Sequence, residues 1–400
     1  MKISELQIRE NYNQTLPLTI ERMIQIDRDF YRDDIDCNHT IQWYFHPVFS
    51  VYVTRGFCDA GRRFLKKQYG YAPNGIRKMI QPLAIQLLSV SFGFERMLQP
   101  AFKTTMVPHP EYMMIMPGNC RFRKFDFANR TVRVYPKAGF SDIPIHREIS
   151  IRAELDSAKK PLDITLPLNK AQDPAKGYKT FEEPLIDATP INRIPGLAQD
   201  KRYIQQIETI LTRLHQFKIY EETIDGTPKG LITSGDYIHH ARNLYDCYSK
   251  ELLERFPGIL LDNVYQRIMR AFDIVSRESM VDTCWTHGDF QPGNILVYGD
   301  DPKDIILADW EDVGGRASVY DGMTYNLESR TKPGVYKRLD EYIKHPERFP
   351  LHVDCAPDVA AALWEIEEWL WLMESSSREG IVRMPLGLCR RFKETADVCK

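Results

Sequence analysis

Through 40–69 and again through 80–99, apolar residues return every three or four positions, the period of an amphipathic helix. Phe45, Phe49, Tyr52, Phe57 and Phe64 crowd the first stretch, and a packed helical core accounts for them more simply than a ligand surface does. The period changes after residue 105. Segments 112–116 and 121–127 read as strands around a turn at Pro117-Gly118-Asn119, and 131–135 alternates polar and apolar residues like a third strand. A break at Pro136-Lys137-Ala138-Gly139-Phe140 precedes a helical segment, 145–155. Residues 158–180, rich in Lys, Asp and Pro, read as strand–loop–strand, and 178–186 as a strand running into a linker. Pro184 favours extended backbone at the residue before it. Helical spacing returns at 199–222, 234–254 and 260–279, then at 318–345 with an interruption at Pro333-Gly334, and at 356–376. The pattern predicts an α+β chain with a β-rich portion, 106–190, between a helical region 1–105 and a larger helical portion 191–400.

A length of 400 residues exceeds what one small core needs and implies two or three domains or subdomains. The formal net charge of −2 excludes the basic field that gathers nucleic acid. Eight cysteines are scattered with no CxxC pair and no Cys/His spacing typical of zinc, which fits reduced thiols and a cytoplasmic protein. His239-His240 reads as a surface or packing pair rather than a metal site. The start lacks the apolar segment of a secretory signal. The most apolar stretch, 80–94, is too short for a bilayer span and contains two Gln and a Pro.

The chemistry lies in two short segments. Residues 287–294 read His-Gly-Asp-Phe-Gln-Pro-Gly-Asn, and Asp309 follows the hydrophobic run Ile305-Ile306-Leu307-Ala308. Asp289 and Asn294 have the spacing of the Asp and Asn in a kinase catalytic loop, and Asp309 stands where a kinase keeps its metal-binding Asp. Phosphoryl transfer needs a carboxylate to orient and deprotonate a hydroxyl, and oxygen ligands for Mg²⁺ bridging the nucleotide phosphates. Asp289 suits the first task; Asn294 and Asp309 suit the second.

With His287-Gly288-Asp289 in place of HRD, and Asp309-Trp310-Glu311 in place of DFG, the chain resembles the aminoglycoside phosphotransferase and choline kinase-like family. The later Asp321 and the strand-like flanks Trp285-Thr286 and Ile295-Leu296-Val297 fit the same pattern. The resemblance covers roughly residues 110–345. It implies a bilobal protein-kinase-like fold, with a small β-rich N-lobe at 106–190 and a helical C-lobe at 191–400, preceded by a helical accessory region. That region, 1–105, would pack on the kinase body or meet a partner or second copy. The resemblance also implies ATP and Mg²⁺ as cofactors and a small-molecule or glycan hydroxyl as acceptor.

By the same resemblance Lys137 would hold the nucleotide phosphates and pair with Glu148. Pro136 sits poorly in a central strand, however, and the glycine-rich loop is reduced to Gly118. Arg121 or Arg123 could add charge near the phosphates, or both could face solvent on an edge strand. Residues 183–186, with Glu183 and Leu185, would offer backbone groups to the adenine edge. The helix holding Trp364, Glu365, Glu367, Glu368, Trp369, Trp371 and Glu374 could wall an acceptor pocket for a cationic or sugar compound, or simply bury its tryptophans and solvate its glutamates. Two other readings stand beside the small-molecule kinase: a protein kinase, although no Ala-Pro-Glu follows Asp309, and a catalytically silent nucleotide-binding scaffold.

Overall fold

The computed structural model describes residues 6–7, 10–33, 35–70, 75–157, 164–173, 178–216, 230–259, 261–330 and 332–398. The amino-terminal part contains α1 (Tyr12–Ile26), β1 (Asp36–His46), β2 (Val51–Val53), α2 (Asp59–Tyr69), α3 (Gly75–Ser89), α4 (Ser91–Arg96) and β3 (Gln99–Met106). Then come β4 (Met113–Pro117), β5 (Arg121–Asp126), β6 (Thr131–Pro136), α5 (Ile143–Ser157), β7 (Lys170–Asp173), β8 (Tyr178–Pro184) and β9 (Thr189–Pro190). The remainder is α6 (Lys201–Gln216), β10 (Gly230–Thr233), α7 (Ser234–Arg255), α8 (Asp262–Val275), β11 (Met280–Thr286), β12 (Ile295–Val297), β13 (Ile305–Leu307) and β14 (Gly314–Ala317), followed by α9 (Tyr320–Leu327), α10 (Val335–Lys344), α11 (Pro357–Ser377) and α12 (Leu386–Val398).

An α+β architecture of two lobes results, as expected. One lobe is built on an eight-stranded sheet of order β3-β1-β2-β4-β5-β6-β8-β7, and the other is mainly helical with two three-stranded sheets. The helical expectation for 40–69 needs correction. β1 and β2 pair antiparallel, with Phe45 opposite Tyr52, and β2 pairs in turn with β4. Strands from the amino-terminal region therefore extend the sheet of the smaller lobe across the expected boundary at 105/106. The aromatic spacing that imitates a helix is shared between a strand, a turn and a second strand. Helices do follow, at α2 to α4. Parts of two other expected elements, 158–163 with 174–177 and 217–222, lie outside the described residues.

Strand periodicity distributes the sheet's side chains between two faces. Phe122, Lys124, Arg133 and Tyr135 share the face covered by α1, where Tyr12, Ile20 and Met23 pack with Trp43 and Ile115. Val132 and Phe125 share the opposite face with Phe57, Leu65 and Phe94 from the α2–α4 side, while Val134 packs under Ile145 and Ile149 of α5. In the larger lobe α11 is buried along most of its length. Trp364 and Trp369 pack there with Tyr237, Ile268 and Met323. Among the described residues no helix is long and apolar enough to cross a membrane.

Candidate active site

β11 delivers the chain to the catalytic-type loop. Its last residue, Thr286, pairs with Gly314 of β14 and donates through its hydroxyl to the Gly314 carbonyl at 3.0 Å. The buried carboxylate of Asp321, on α9, accepts from the backbone N–H groups of His287 at 2.6 Å and Gly288 at 3.1 Å. Asp321 thus secures the start of the loop. Gly288 has φ +84°, and a Cβ there would run into the Asp312 carbonyl. Glycine meets both constraints, the left-handed backbone and the close approach.

The hairpin β12–β13 returns the chain to the loop. Ile295 pairs with Leu307, and the Ala308 N–H donates to the Asn294 carbonyl at 2.9 Å. Short strands joined in this register bring Asp309 beside Asn294, which explains the fifteen-residue separation seen in the sequence. Asp309 has φ 71° and ψ 55°, a left-handed conformation uncommon for a non-glycine residue. His287 supports this approach: its Nε2 lies 3.0 Å from the Ala308 carbonyl, and its ring packs on Trp310.

Asp289 is held from several sides. The side-chain amides of Asn294 and Gln291 donate to its Oδ2 at 2.9 and 2.8 Å, and Arg330 Nε lies 3.2 Å from its Oδ1. Burial pushes the Asp289 carboxyl up, Arg330 opposes that, and the nearby Asp312 and Asp309 charges add to it; the net direction is upward. Because the Asn294 NH₂ faces Asp289, its amide oxygen is turned away from that carboxylate, as a metal-binding asparagine requires.

Asp309 carries a different environment. Arg121 and Arg123 both donate to its Oδ1, Arg123 at 2.7 Å. Burial pushes this carboxyl up, but Arg123 and Arg121 hold it well below the usual carboxylate range. Asp309 is thus an ionised hard-oxygen donor, but two guanidinium groups occupy its Oδ1, and one of them would have to move for a cation to bind that oxygen. Among the described residues no group of three or more His, Cys, Asp or Glu side chains could hold a metal. Asn294 and Asp309 are the two side chains there whose oxygens could hold a divalent cation.

The expected pair of Lys137 and Glu148 does not form. Glu148, buried on α5, takes Arg121 and, at 3.1 Å, Arg152. Lys137 takes Glu10 at 2.8 Å and the carbonyls of Gly118 and Asn119 at 2.9 and 3.1 Å. Alternation explains the difference. Residues 133 and 135 point to the α1 face, and 137 continues that series past the end of β6. Val132 and Val134 occupy the cleft face instead. Neither arginine simply faces solvent: Arg121 is 1% exposed with its Nε 3.3 Å from Glu311 Oε2, and Arg123, partly exposed, turns into the cavity and onto Asp309.

Gly118 forms the β4–β5 turn, its N–H bonded to the Arg121 carbonyl at 2.8 Å. The turn docks on the motif after β13. Asn119 Nδ2 and Cys120 Sγ lie 3.3 and 3.2 Å from the Glu311 carboxylate. Glu183 lies 2.7 Å from Arg152, and the Leu185 N–H donates to the Arg130 carbonyl at 2.7 Å. That N–H is therefore engaged by the sheet and is not available to an adenine edge. Between the lobes runs a cavity of about 320 Å³, bordered by Val132, Phe181, Leu185, Leu296, Asn294 and Asp309. The walls are largely apolar, with the Asp309 carboxylate, the Asn294 amide and the Arg123 guanidinium at one end.

Three glutamates of α11, Glu365, Glu367 and Glu368, are buried and not solvated, and Glu374 is partly exposed but paired. Glu365 pairs with Arg267, Glu368 with Arg330 and Arg391, and Glu374 with Arg147; Glu367 accepts from the Tyr237 hydroxyl and the Ala317 N–H. Trp371 carries the Arg330 guanidinium over its ring at 3.5 Å. Buried glutamates need such partners, which composition could not reveal. Arg330, 41 residues beyond Asp289, is the contact that sequence spacing had no means to find. Arg378, 2.8 Å from Asp312, is another.

No family model and no curated protein matches the chain. Among solved structures, it is similar to the GDP complex of wild-type aminoglycoside 2'-phosphotransferase-IIIa, with TM-score 0.47 and 13% identity over 70% of this chain and 91% of that one. It is similar to a choline/ethanolamine kinase family protein from Mesorhizobium loti, with TM-score 0.42 and 14% identity over 66% and 78%. It is also similar to choline kinase LicA from Streptococcus pneumoniae, with TM-score 0.41 and 14% identity over 73% and 92%. The solved structures it resembles, at low identity, are thus those of choline kinases and aminoglycoside phosphotransferases.

Proposed function

We propose that this chain is an ATP- and Mg²⁺-dependent phosphotransferase whose acceptor is a hydroxyl of a small molecule or glycan. The observation that carries this reading is that Asn294 and Asp309 border one end of an interlobe cavity while Asn294 is hydrogen-bonded to Asp289 and its carbonyl accepts from the Ala308 N–H. Mg-ATP, when bound, supplies the transferable phosphoryl group. Asn294 and Asp309 would hold the metal, and Mg²⁺ there would offset charge on the phosphates. Asp289 orients the acceptor hydroxyl and takes its proton, and Gln291 and Arg330 fix the carboxylate. A carboxyl raised by burial is a better proton acceptor than an exposed one. The ion-paired glutamates of α11 give no support to an acceptor chosen for positive charge. With Arg330 beside the base, sugar and polyol hydroxyls fit this surface better than amine cations. The reading places the protein in the cytoplasm, where ATP is available.

One observation favours a silent nucleotide-binding scaffold: both arginines sit on the Asp309 oxygen that a metal needs. The test is acceptor-stimulated ADP release with sugars, polyols, amino alcohols and aminoglycosides, run beside a peptide pool. Stimulation by a hydroxyl compound is expected. Stimulation by peptides alone would make the chain a protein kinase, and nucleotide binding without turnover on any acceptor would favour the scaffold.

A further inference from the structure

We propose that Arg123 is the residue that binds the phosphates of the nucleotide, and that Arg121 replaces a strand lysine as the partner of Glu148. The inference rests on the nucleotide reading above and assigns its phosphate contacts.

On β6 the cleft face carries Val132 and Val134, which bear no charge, and Lys137 is committed to Glu10 on the other side of the sheet. Two arginines from outside the sheet also border the cavity, but Arg152 is held by Glu148 and Glu183, and Arg193 donates to Gln68 at 2.8 Å. β5 supplies the remaining charge. Arg123 stands opposite Val134 and Arg121 opposite Pro136 in the β5–β6 register, so both stem from the cleft face of the strand beside β6. The two are not equivalent. Arg121 is buried and engages Glu148, Asp309 and Glu311 together, a set that fixes it in place. The Arg123 side chain is 26% exposed, lines the cavity, and has Asp309 as its ion-pair partner among the described residues.

Arg123 can therefore turn from one anion to another without leaving a buried charge unpaired. A guanidinium offers a planar fork that matches phosphate oxygens. Its departure from Asp309 would also relieve crowding on the oxygen a metal must share. Arg121, tied to α5 through Glu148, would keep β5, α5 and the motif after β13 in fixed relation.

The test is calorimetric titration of Mg-ADP and of adenosine into wild type, Arg123→Gln and Arg121→Lys, with circular dichroism to establish folding. Arg123 is partly exposed, so Arg123→Gln should fold normally. It is expected to weaken Mg-ADP by about 10-fold or more, the effect of losing a charge-assisted hydrogen bond, while adenosine affinity stays within about 2-fold. Arg121→Lys should retain part of the Mg-ADP affinity, because a lysine can still reach one carboxylate. Equal Mg-ADP affinity in wild type and Arg123→Gln would overturn this assignment and leave the nucleotide reading intact. Equal losses for Mg-ADP and adenosine would also overturn it, since Arg123 would then only shape the cleft. A wild type that binds neither compound would overturn both.

Discussion

Asp289 and Asp309 are both buried carboxylates, yet their surroundings drive them apart. Asp309 is held ionised by two guanidinium groups, while Asp289 is lifted by burial and neighbouring negative charge with Arg330 opposing. That division suits a metal ligand and a base, respectively. Replacing Asp289 with Asn should lower turnover on the true acceptor by about 10²–10⁴-fold, the usual loss for a general base, with nucleotide affinity little changed. Steady-state rates beside calorimetric ATP binding check this, and unchanged turnover would remove Asp289 from the mechanism. Asp309→Ala should act on binding as well. The Mg²⁺-dependence of ATP affinity should shrink, because a hard oxygen ligand is gone. Titrations with Mg²⁺ and with chelator give the answer, and equal dependence in both proteins would contradict the role.

At the level of elements, the site is assembled by short connections. Asp321 on α9 holds the first two N–H groups of the loop, and β12 and β13 return the chain in register. Gly288 is the point of least tolerance, because a side chain there meets both a positive φ and the Asp312 carbonyl. Gly288→Ala should displace the 310–312 turn and cost at least ten-fold in activity, in keeping with the ~1–3 kcal/mol of a strained backbone position. Unaltered activity and melting temperature would show that the loop has room the structure does not display.

Across the whole molecule, the amino-terminal segment is integral to the smaller lobe. Asp27, at the end of α1, accepts from Lys124 at 2.5 Å, Arg133 at 3.0 Å and the Tyr135 hydroxyl. Asp33 also meets Arg133, at 2.6 Å. Asp27→Ala would leave Lys124 and Arg133 with a reduced set of counter-charges beneath α1. Removing one partner of a buried ion pair costs about 3–5 kcal/mol; the remaining Asp33 contacts argue for the lower end. Denaturant unfolding of wild type and variant measures it, and a loss well under 1 kcal/mol would mean that α1 is only loosely joined to the sheet.

What could be read from the chain alone was local. The spacing of Asp289, Asn294 and Asp309 reflects one loop and one hairpin, so a short window contains it. Strands 112–116, 121–127 and 131–135 carry their period within single segments, and their sheet formed as expected. The region 40–69 misled because aromatic residues on two strands and a turn can mimic helical spacing; only pairing with β3 and β4 separates these cases. Lys137 was a subtler loss. The parity that turns it toward Glu10 is present in the sequence, but the identity of the sheet face that borders the cleft is not. The partners of Arg121, the place of Arg330 and the pairing of the α11 glutamates belong wholly to tertiary structure. A buried charge takes the nearest counter-charge in space, and in this molecule those partners come from strands and helices far apart along the chain.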